Sequence, residues 1–184
     1  MVDAVGVLTV IAFVAVPWAV IRLLFRIPPG RVALECALIV YLIAVLYAVT
    51  MPLMQGLLHD WVRFRGFVNL VPFATVTELL RRESPAQAIR QIIGNVVMLI
   101  PLGVLLPVLW TRFRAVSRVA VAGLTVSVSI EAIQLGLWFA KLGSHSIDVD
   151  DLILNTVGAC LGYALWLAAW RLSQESPLQV KAEN

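Results

Sequence analysis

Five long apolar stretches dominate this 184-residue chain. They lie between clusters of charged residues, at positions 4–21, 36–59, 91–110, 119–140 and 152–170. Each has about 18 residues or more, which is enough for an α-helix to cross a hydrocarbon core of roughly 30 Å. Backbone polar groups find no water inside a bilayer, so such stretches are expected to be helical. The sequence therefore predicts an all-α, polytopic membrane protein with about five transmembrane helices.

The composition excludes several other classes of protein. Apolar residues make up 61% of the chain and charged residues only 14%, which is not the balance of a soluble domain. The net charge of +3 comes mainly from loop arginines, so nucleic acid is not expected as a partner. Cys36 and Cys160 lie in apolar stretches without CxxC spacing, and we interpret them as packing residues.

The loop arginines predict the orientation in the membrane. The connections at 22–31 and 112–118 each carry three arginines and no acidic residue, so both are expected in the cytoplasm. This places the N-terminus outside and the C-terminal tail inside. Pro17 and Trp18 stand where a signal peptide would be cleaved, so we interpret the first stretch as a retained helix. The long mixed connection 51–90 is net positive and disagrees with this orientation.

That long connection has its own organisation. Residues 63–73 are aromatic and basic, and the Val71-Pro72 step favours extended backbone, which indicates a segment along the membrane interface. The sequence TVTELLRRE, from Thr75, predicts a short interfacial amphipathic helix. A capping pattern then predicts that the third transmembrane helix begins near Ser84.

Polar side chains recur at helical spacing toward the predicted outer ends of the last three transmembrane helices. The set comprises Gln91, Asn95, Ser127, Glu131, Gln134, Asp148, Asp150, Asp151 and Asn155. Lipid exposure of such groups costs several kcal/mol each, so we expect Asn95, Glu131 and Asn155 to converge on one cavity. Gly158 and Gly162 form a GxxxG pattern, which allows close approach by another helix.

Each of these residues also has a structural interpretation. Asp148 or Asp150 can cap the last helix, and Asn95 and Asn155 can join helices by hydrogen bonds. Glu131 is the strongest functional candidate because it is an ionisable group deep in a membrane span. No metal site or cofactor is predicted, since the histidines and acids lack diagnostic spacing; a carboxylate site for Mg²⁺ or Ca²⁺ remains the alternative.

Four sequence blocks together resemble a known family. FRGFVNLVPF, GNVVMLIPLG, SIEAIQLGL and SIDVDDLILNTVGACLG occur in this order and are similar to the VanZ-like membrane proteins. That family is named from a component associated with low-level teicoplanin resistance. The blocks cover roughly half the chain, from Arg65 to Gly162, and the first two helices match only as hydrophobic spans. Together with the hydropathy and charge patterns, this predicts two N-terminal transmembrane helices at 1–60, a VanZ-like core with three transmembrane helices at 61–171 and a cytoplasmic tail at 172–184. The resemblance also implies a multi-pass protein of the bacterial plasma membrane.

The family pattern points to a set of binding residues in this chain. These are Arg65, Asn69, Asn95, Glu131, Gln134, Asp148, Asp151 and Asn155, together with His145. His145 stands where family members often have arginine, which makes an anion contact there weaker or pH-dependent.

Three functions remain open at this stage. The protein could bind a membrane lipid headgroup or lipid-like amphiphile in an outer-leaflet pocket, with a role in cell-envelope or teicoplanin resistance. Alternatively, it could be an intramembrane enzyme acting on a lipid-linked envelope substrate, with Glu131 or Asp151 as the catalytic base. A proton-coupled carrier is the third possibility, although the chain shows no evident inverted repeat.

Overall fold

The chain is almost entirely helical in the computed structural model, which describes residues 4–59, 67–82, 85–140 and 146–179. The elements in chain order are α1 (Ala4–Leu24), α2 (Pro29–His59), β1 (Phe67–Asn69), α3 (Ala74–Arg82), α4 (Pro85–Leu109), α5 (Val116–Phe139), β2 (Ser146–Asp148) and α6 (Val149–Gln179). A 3₁₀ turn at Thr111–Phe113 precedes α5. The all-α fold class is confirmed, with two three-residue strands added.

Five of these helices are long and apolar enough to cross a membrane, as the sequence predicted. The qualifying segments are Gly6–Leu24, Pro29–Thr50, Ile89–Leu109, Val116–Leu137 and Val149–Gln174. The remaining helix, α3, has polar and apolar faces and is the predicted amphipathic helix. Helix α4 begins at Pro85, next to the predicted start at Ser84, and contains Pro101 and Pro107.

The structure divides into two compact units. The first comprises residues 1–72 and 128–149, and the second comprises residues 73–127 and 150–184. In the first unit, α1 packs against α2, and the contact buries Ala15, Val32, Leu38 and Val45.

The connection between α1 and α2 is shorter than the sequence analysis suggested. Only residues 25–28 lie between the helices, and Arg26 adopts a left-handed backbone conformation there. Arg22 and Arg31 are therefore helical rather than loop residues. Arg22 pairs there with Glu35, which is 5% exposed and accepts hydrogen bonds from Arg22 Nε at 2.7 Å and Arg22 Nη2 at 2.6 Å. This pairing compensates the charge of Arg22 where α1 continues past its apolar stretch.

Two distant segments of the first unit form a parallel strand pair. β1 pairs with β2 in a register that joins Phe67 to Ser146 and Asn69 to Asp148. The composition of residues 63–73 indicates an interfacial segment, and no local pattern there predicts this pairing. Its consequence is that residues 67–69 and 146–148, which belong to two of the four family blocks, lie side by side.

In the second unit, α6 meets α4 at the predicted GxxxG pattern. A Cβ atom on Gly158 would overlap the carbonyl oxygen of Val96, and one on Gly162 would overlap that of Ile100. The backbones are therefore too close for any side chain at these two positions. The prediction of a close helix contact is confirmed, and α4 is the partner.

The same contact depends on glycines of the neighbouring helices. A Cβ on Gly103 of α4 would overlap the backbone carbonyl of Ala159, and one on Gly123 of α5 would lie 2.7 Å from the Ala159 Cβ. Ala159 is itself fully buried. Small residues thus allow α4, the beginning of α5 and α6 to pack closely within the second unit.

Candidate ligand-binding site

Asn69 and Asp148 form a buried polar pair in the first unit. The register of β1 and β2 places them opposite each other, and each side chain is 4% exposed. The Asn69 amide nitrogen donates to Asp148 Oδ1 at 3.0 Å, while Asn69 Oδ1 accepts from the Val71 backbone N–H at 3.0 Å. Both predicted residues are therefore brought together, and the asparagine also fixes the turn that leaves β1.

Asp150 has a different role, in the second unit. Its carboxylate accepts hydrogen bonds from the backbone N–H groups of Phe73 and Val76, the latter at 3.0 Å. These N–H groups flank the start of α3, where helices leave donors unsatisfied. Phe73 takes a positive φ of 64° at this point, so the capping bonds hold an unfavourable backbone conformation. Asp150, only 1% exposed, thus caps α3 from the first turn of α6.

Two further asparagines contact polar partners in the second unit. Asn95 of α4 donates to the carboxylate of Asp151 on α6. Asn155, one turn further along α6, donates to the Ser127 hydroxyl oxygen at 2.9 Å. Asn155 is 1% exposed, and its Oδ1 has no hydrogen-bond partner among the residues that the structure describes. The amide therefore presents an acceptor whose bond is not made within the described protein.

Glu131 and Gln134 lie on the part of α5 that belongs to the first unit. Both are buried, at 6% and 8% exposure. The Gln134 amide nitrogen makes a long 3.4 Å bond to the backbone carbonyl of Val49, and its Oε1 is unpartnered within the described ranges. This second orphaned acceptor matches the chemistry of Asn155 Oδ1.

Not every predicted site residue is covered by the structure. Arg65 and His145 lie outside the described residues. Of the others, the structure joins Asn69 with Asp148 and Asn95 with Asp151, and it joins Asn155 with Ser127. The convergence of Asn95, Glu131 and Asn155 on one cavity stays a prediction.

The chemistry of these groups favours hydrogen bonding to a donor. Carboxylates are acceptors when ionised, and the unpartnered amide atoms are both oxygens. No group of three His, Cys, Asp or Glu side chains in the described part of the chain is arranged to hold a metal ion. A ligand with hydroxyl, ammonium or amide N–H groups would complete the missing bonds.

Comparison with known proteins identifies the family. The model of the VanZ/LLP1 family matches residues 38–171. This chain belongs to the VanZ/LLP1 family. It is 28% identical to Protein VanZ of Enterococcus faecium over 137 residues, covering 74% of this chain and 75% of that protein. No solved structure matches. Together with its five apolar helices, this membership establishes a VanZ-like, multi-pass membrane protein, and the matched stretch contains every candidate residue.

Three interactions were not anticipated from the sequence. The β1–β2 pair brings Asn69 to Asp148, Asp150 caps α3 rather than serving only its own helix, and Glu35 joins α1 to α2. Glu35 lies four positions after Arg31 and beside an apolar span, and this spacing was the local signal that could have predicted its pairing with an arginine. No local signal marks a three-residue strand pair.

Proposed function

We propose that this VanZ-family protein binds a polar lipid headgroup or similar amphiphile in an outer-leaflet pocket and thereby contributes to glycopeptide (teicoplanin) resistance of the cell envelope. The observation that carries the proposal is the fully buried amide of Asn155, whose oxygen lacks a donor among the described residues. Beside it on α6, Asp151 supplies a carboxylate held by Asn95.

Energetics support a ligand at these groups. A buried acceptor without a donor costs about 1–3 kcal/mol, so an orphaned amide is not retained for stability alone. A leucine at position 155 would fill similar space without that cost. Gln134 in the first unit repeats the pattern independently, with its own orphaned oxygen. Each unpaired acceptor in an apolar helix favours a ligand that brings donors, such as a hydroxyl-rich or amine-bearing headgroup.

The proposed orientation places these groups in the outer leaflet. The connection between α4 and α5 carries Arg112, Arg114 and Arg118 without an acid, which favours the cytoplasmic side. The opposite end of α5 and the start of α6 then lie outside. The N-terminus is outside and the C-terminus is cytoplasmic in the same arrangement, in a bacterial plasma membrane.

The link to resistance rests on family membership. The resemblance to VanZ-like proteins carries the association with teicoplanin, and binding of an envelope amphiphile is a way to alter what the antibiotic meets at the membrane. Catalysis is the alternative, with Glu131 or Asp151 acting on a lipid-linked substrate, and product formation distinguishes it from binding.

A matched pair of lipids tests the proposal. The ammonium group of phosphatidylethanolamine donates N–H hydrogen bonds, whereas the quaternary ammonium of phosphatidylcholine has no N–H group. Only phosphatidylethanolamine should therefore raise the thermal unfolding temperature of the purified protein. Asn155→Leu and Asp151→Asn should remove the difference, and Arg81→Gln, at an exposed position of α3, should keep it. Equal responses to the two lipids in the native protein would refute donor recognition. Chromatography of the recovered lipid would reveal a product if the protein were the enzyme.

A further inference from the structure

The connection between α4 and α5 holds three arginines by contacts other than ion pairs. The Arg112 guanidinium lies over the Phe113 ring at 4.9 Å and the Trp110 ring at 5.9 Å. Arg114 lies over Trp166 at 5.8 Å. Arg118 Nη1 donates to the Arg112 carbonyl oxygen at 2.8 Å. Aromatic faces and a carbonyl therefore contact these exposed side chains and favour their observed positions.

A cavity opens beside two of these arginines. It has a volume of about 720 Å³ and is lined at one end by Arg112, Ser117 and Arg118. Its wall continues along α5 through Val121, Ala122, Thr125 and Val126, and the Thr125 hydroxyl donates to the Val121 carbonyl oxygen of the same helix. We call this feature the arginine groove. Its lining changes from basic to apolar along a helix that is long and apolar enough to cross a membrane.

The charge of the arginine groove is not neutralised by the described part of the protein. The ion pairs among the described residues join Glu35 to Arg22 and Arg31, and all three residues lie in the first unit. A guanidinium stacked on an aromatic ring still has its edge N–H groups available, and those groups match phosphate oxygens in a bidentate fashion. The groove thus offers preorganised donors for an anion, together with exposed apolar surface such as Val121, which is 65% exposed.

We infer that the arginine groove binds an anionic glycerophospholipid, with the headgroup phosphate on Arg112 and Arg118 and an acyl chain along Val121 and Val126. A free phosphate ion would use the arginines but would leave the apolar wall empty, so the mixed lining favours a lipid. The groove has its arginine end at the beginning of α5, with Arg118 about two and a half turns before Ser127, the partner of Asn155. It is therefore a second lipid site, independent of the proposed outer-leaflet function, and under the proposed orientation it serves the cytoplasmic leaflet.

The test measures retention of phosphatidylglycerol by the purified full-length protein. Native mass spectrometry is performed in detergent micelles that contain equal amounts of phosphatidylglycerol and phosphatidylcholine. We expect one phosphatidylglycerol to be retained in preference to phosphatidylcholine. The Arg112→Lys/Arg118→Lys variant keeps the positive charge that sets topology but loses the planar fork, so its affinity should fall several-fold. Arg112→Gln/Arg118→Gln should lower affinity about ten-fold or more.

Two controls make the result specific. Val121→Trp fills the apolar wall while leaving both arginines, and it should also weaken retention. Arg81→Gln/Arg90→Gln removes the charge of two exposed arginines outside the groove and should have no effect on retention, in contrast to Arg112→Gln/Arg118→Gln. Equal loss in this control pair would show that surface charge alone binds the lipid. If millimolar inorganic phosphate displaced phosphatidylglycerol while Val121→Trp had no effect, the groove would be a site for a free anion. Either of these two results would overturn the inference.

Discussion

At the scale of residues, the buried polar side chains fall into two kinds. Some are fully occupied by structure: Asp150 caps α3, and Asn69 joins Asp148 while fixing its own turn. Others keep unused capacity, as Asn155 and Gln134 do with their orphaned oxygens. Under the proposed function, the residues with unused hydrogen-bonding capacity are the ones that a ligand contacts. The sequence could not predict this distinction, because the identity of a polar residue does not reveal whether its hydrogen bonds are made in the fold.

Glu35 provides a stability test at this scale. It is 5% exposed and bound by Arg22, whereas Arg31 contacts it at 3.3 Å from a more exposed position. Arg22 makes the two shortest bonds to this buried carboxylate, so Arg22→Gln and Glu35→Gln should each lower the stability measurably, and by more than Arg31→Gln does. The double variant should recover most of this loss, and Arg31→Gln should cost about 1 kcal/mol or less.

Denaturant unfolding of the four purified variants in one detergent would check the pair. Recovery in the double variant is the decisive observation, because it shows that the two side chains act on each other. Additive losses from the two single substitutions would contradict the interaction.

At the scale of elements, the α4–α6 contact defines how the second unit packs. Gly158, Gly162 and Gly103 each lie where a Cβ would meet backbone of the other helix. Backbone cannot move aside as a flexible side chain can, so the contact tolerates no larger residue. The packing matters for the candidate site because Asn95 and Asp151 join the same two helices one to two turns away.

Substitution of these glycines gives a sharp comparison. Gly158→Ala and Gly103→Ala should each lower the stability by about 1–3 kcal/mol or more through overpacking. Gly94→Ala is the matched control in α4, because nothing lies within 4 Å of the added carbon. Thermal unfolding in detergent would measure the stability of these variants. An equal loss of stability in Gly94→Ala and Gly158→Ala would contradict the overpacking argument.

At the scale of the whole molecule, hydropathy predicted most of the fold. The five membrane spans, the amphipathic α3 and the GxxxG contact follow from local patterns, since each depends on residues close in sequence. The parallel β1–β2 pair does not, because its two strands are three residues long and almost eighty positions apart. Asp150 illustrates the same limit: its position in the first turn of α6 predicts a cap for α6, while the donors it meets belong to α3. The candidate residues were identified by type and spacing, but their partners required the fold.

The orientation of the molecule yields its own prediction. In a background with Cys36→Ala and Cys160→Ala, a cysteine at Ser144 should react with an impermeant thiol reagent in intact cells. A cysteine at Ser117, exposed at the start of α5, should react only after lysis. The pair acts as a mutual control, because both positions are tested with the same reagent. The reverse pattern would contradict the proposed topology.

The most direct test of the central claim replaces two candidate carboxyl groups, one in each unit, by amides of nearly the same shape. Asp151→Asn and Glu131→Gln keep the size and much of the hydrogen bonding of the native side chains, so a purely structural role should tolerate them. We predict that the native protein raises the teicoplanin resistance of a susceptible host. Each amide substitution should abolish this increase while the protein remains at normal abundance in the membrane, and Arg81→Gln should leave it intact. Full resistance in both amide variants, or a loss that merely follows disappearance of the protein from the membrane, would contradict the account.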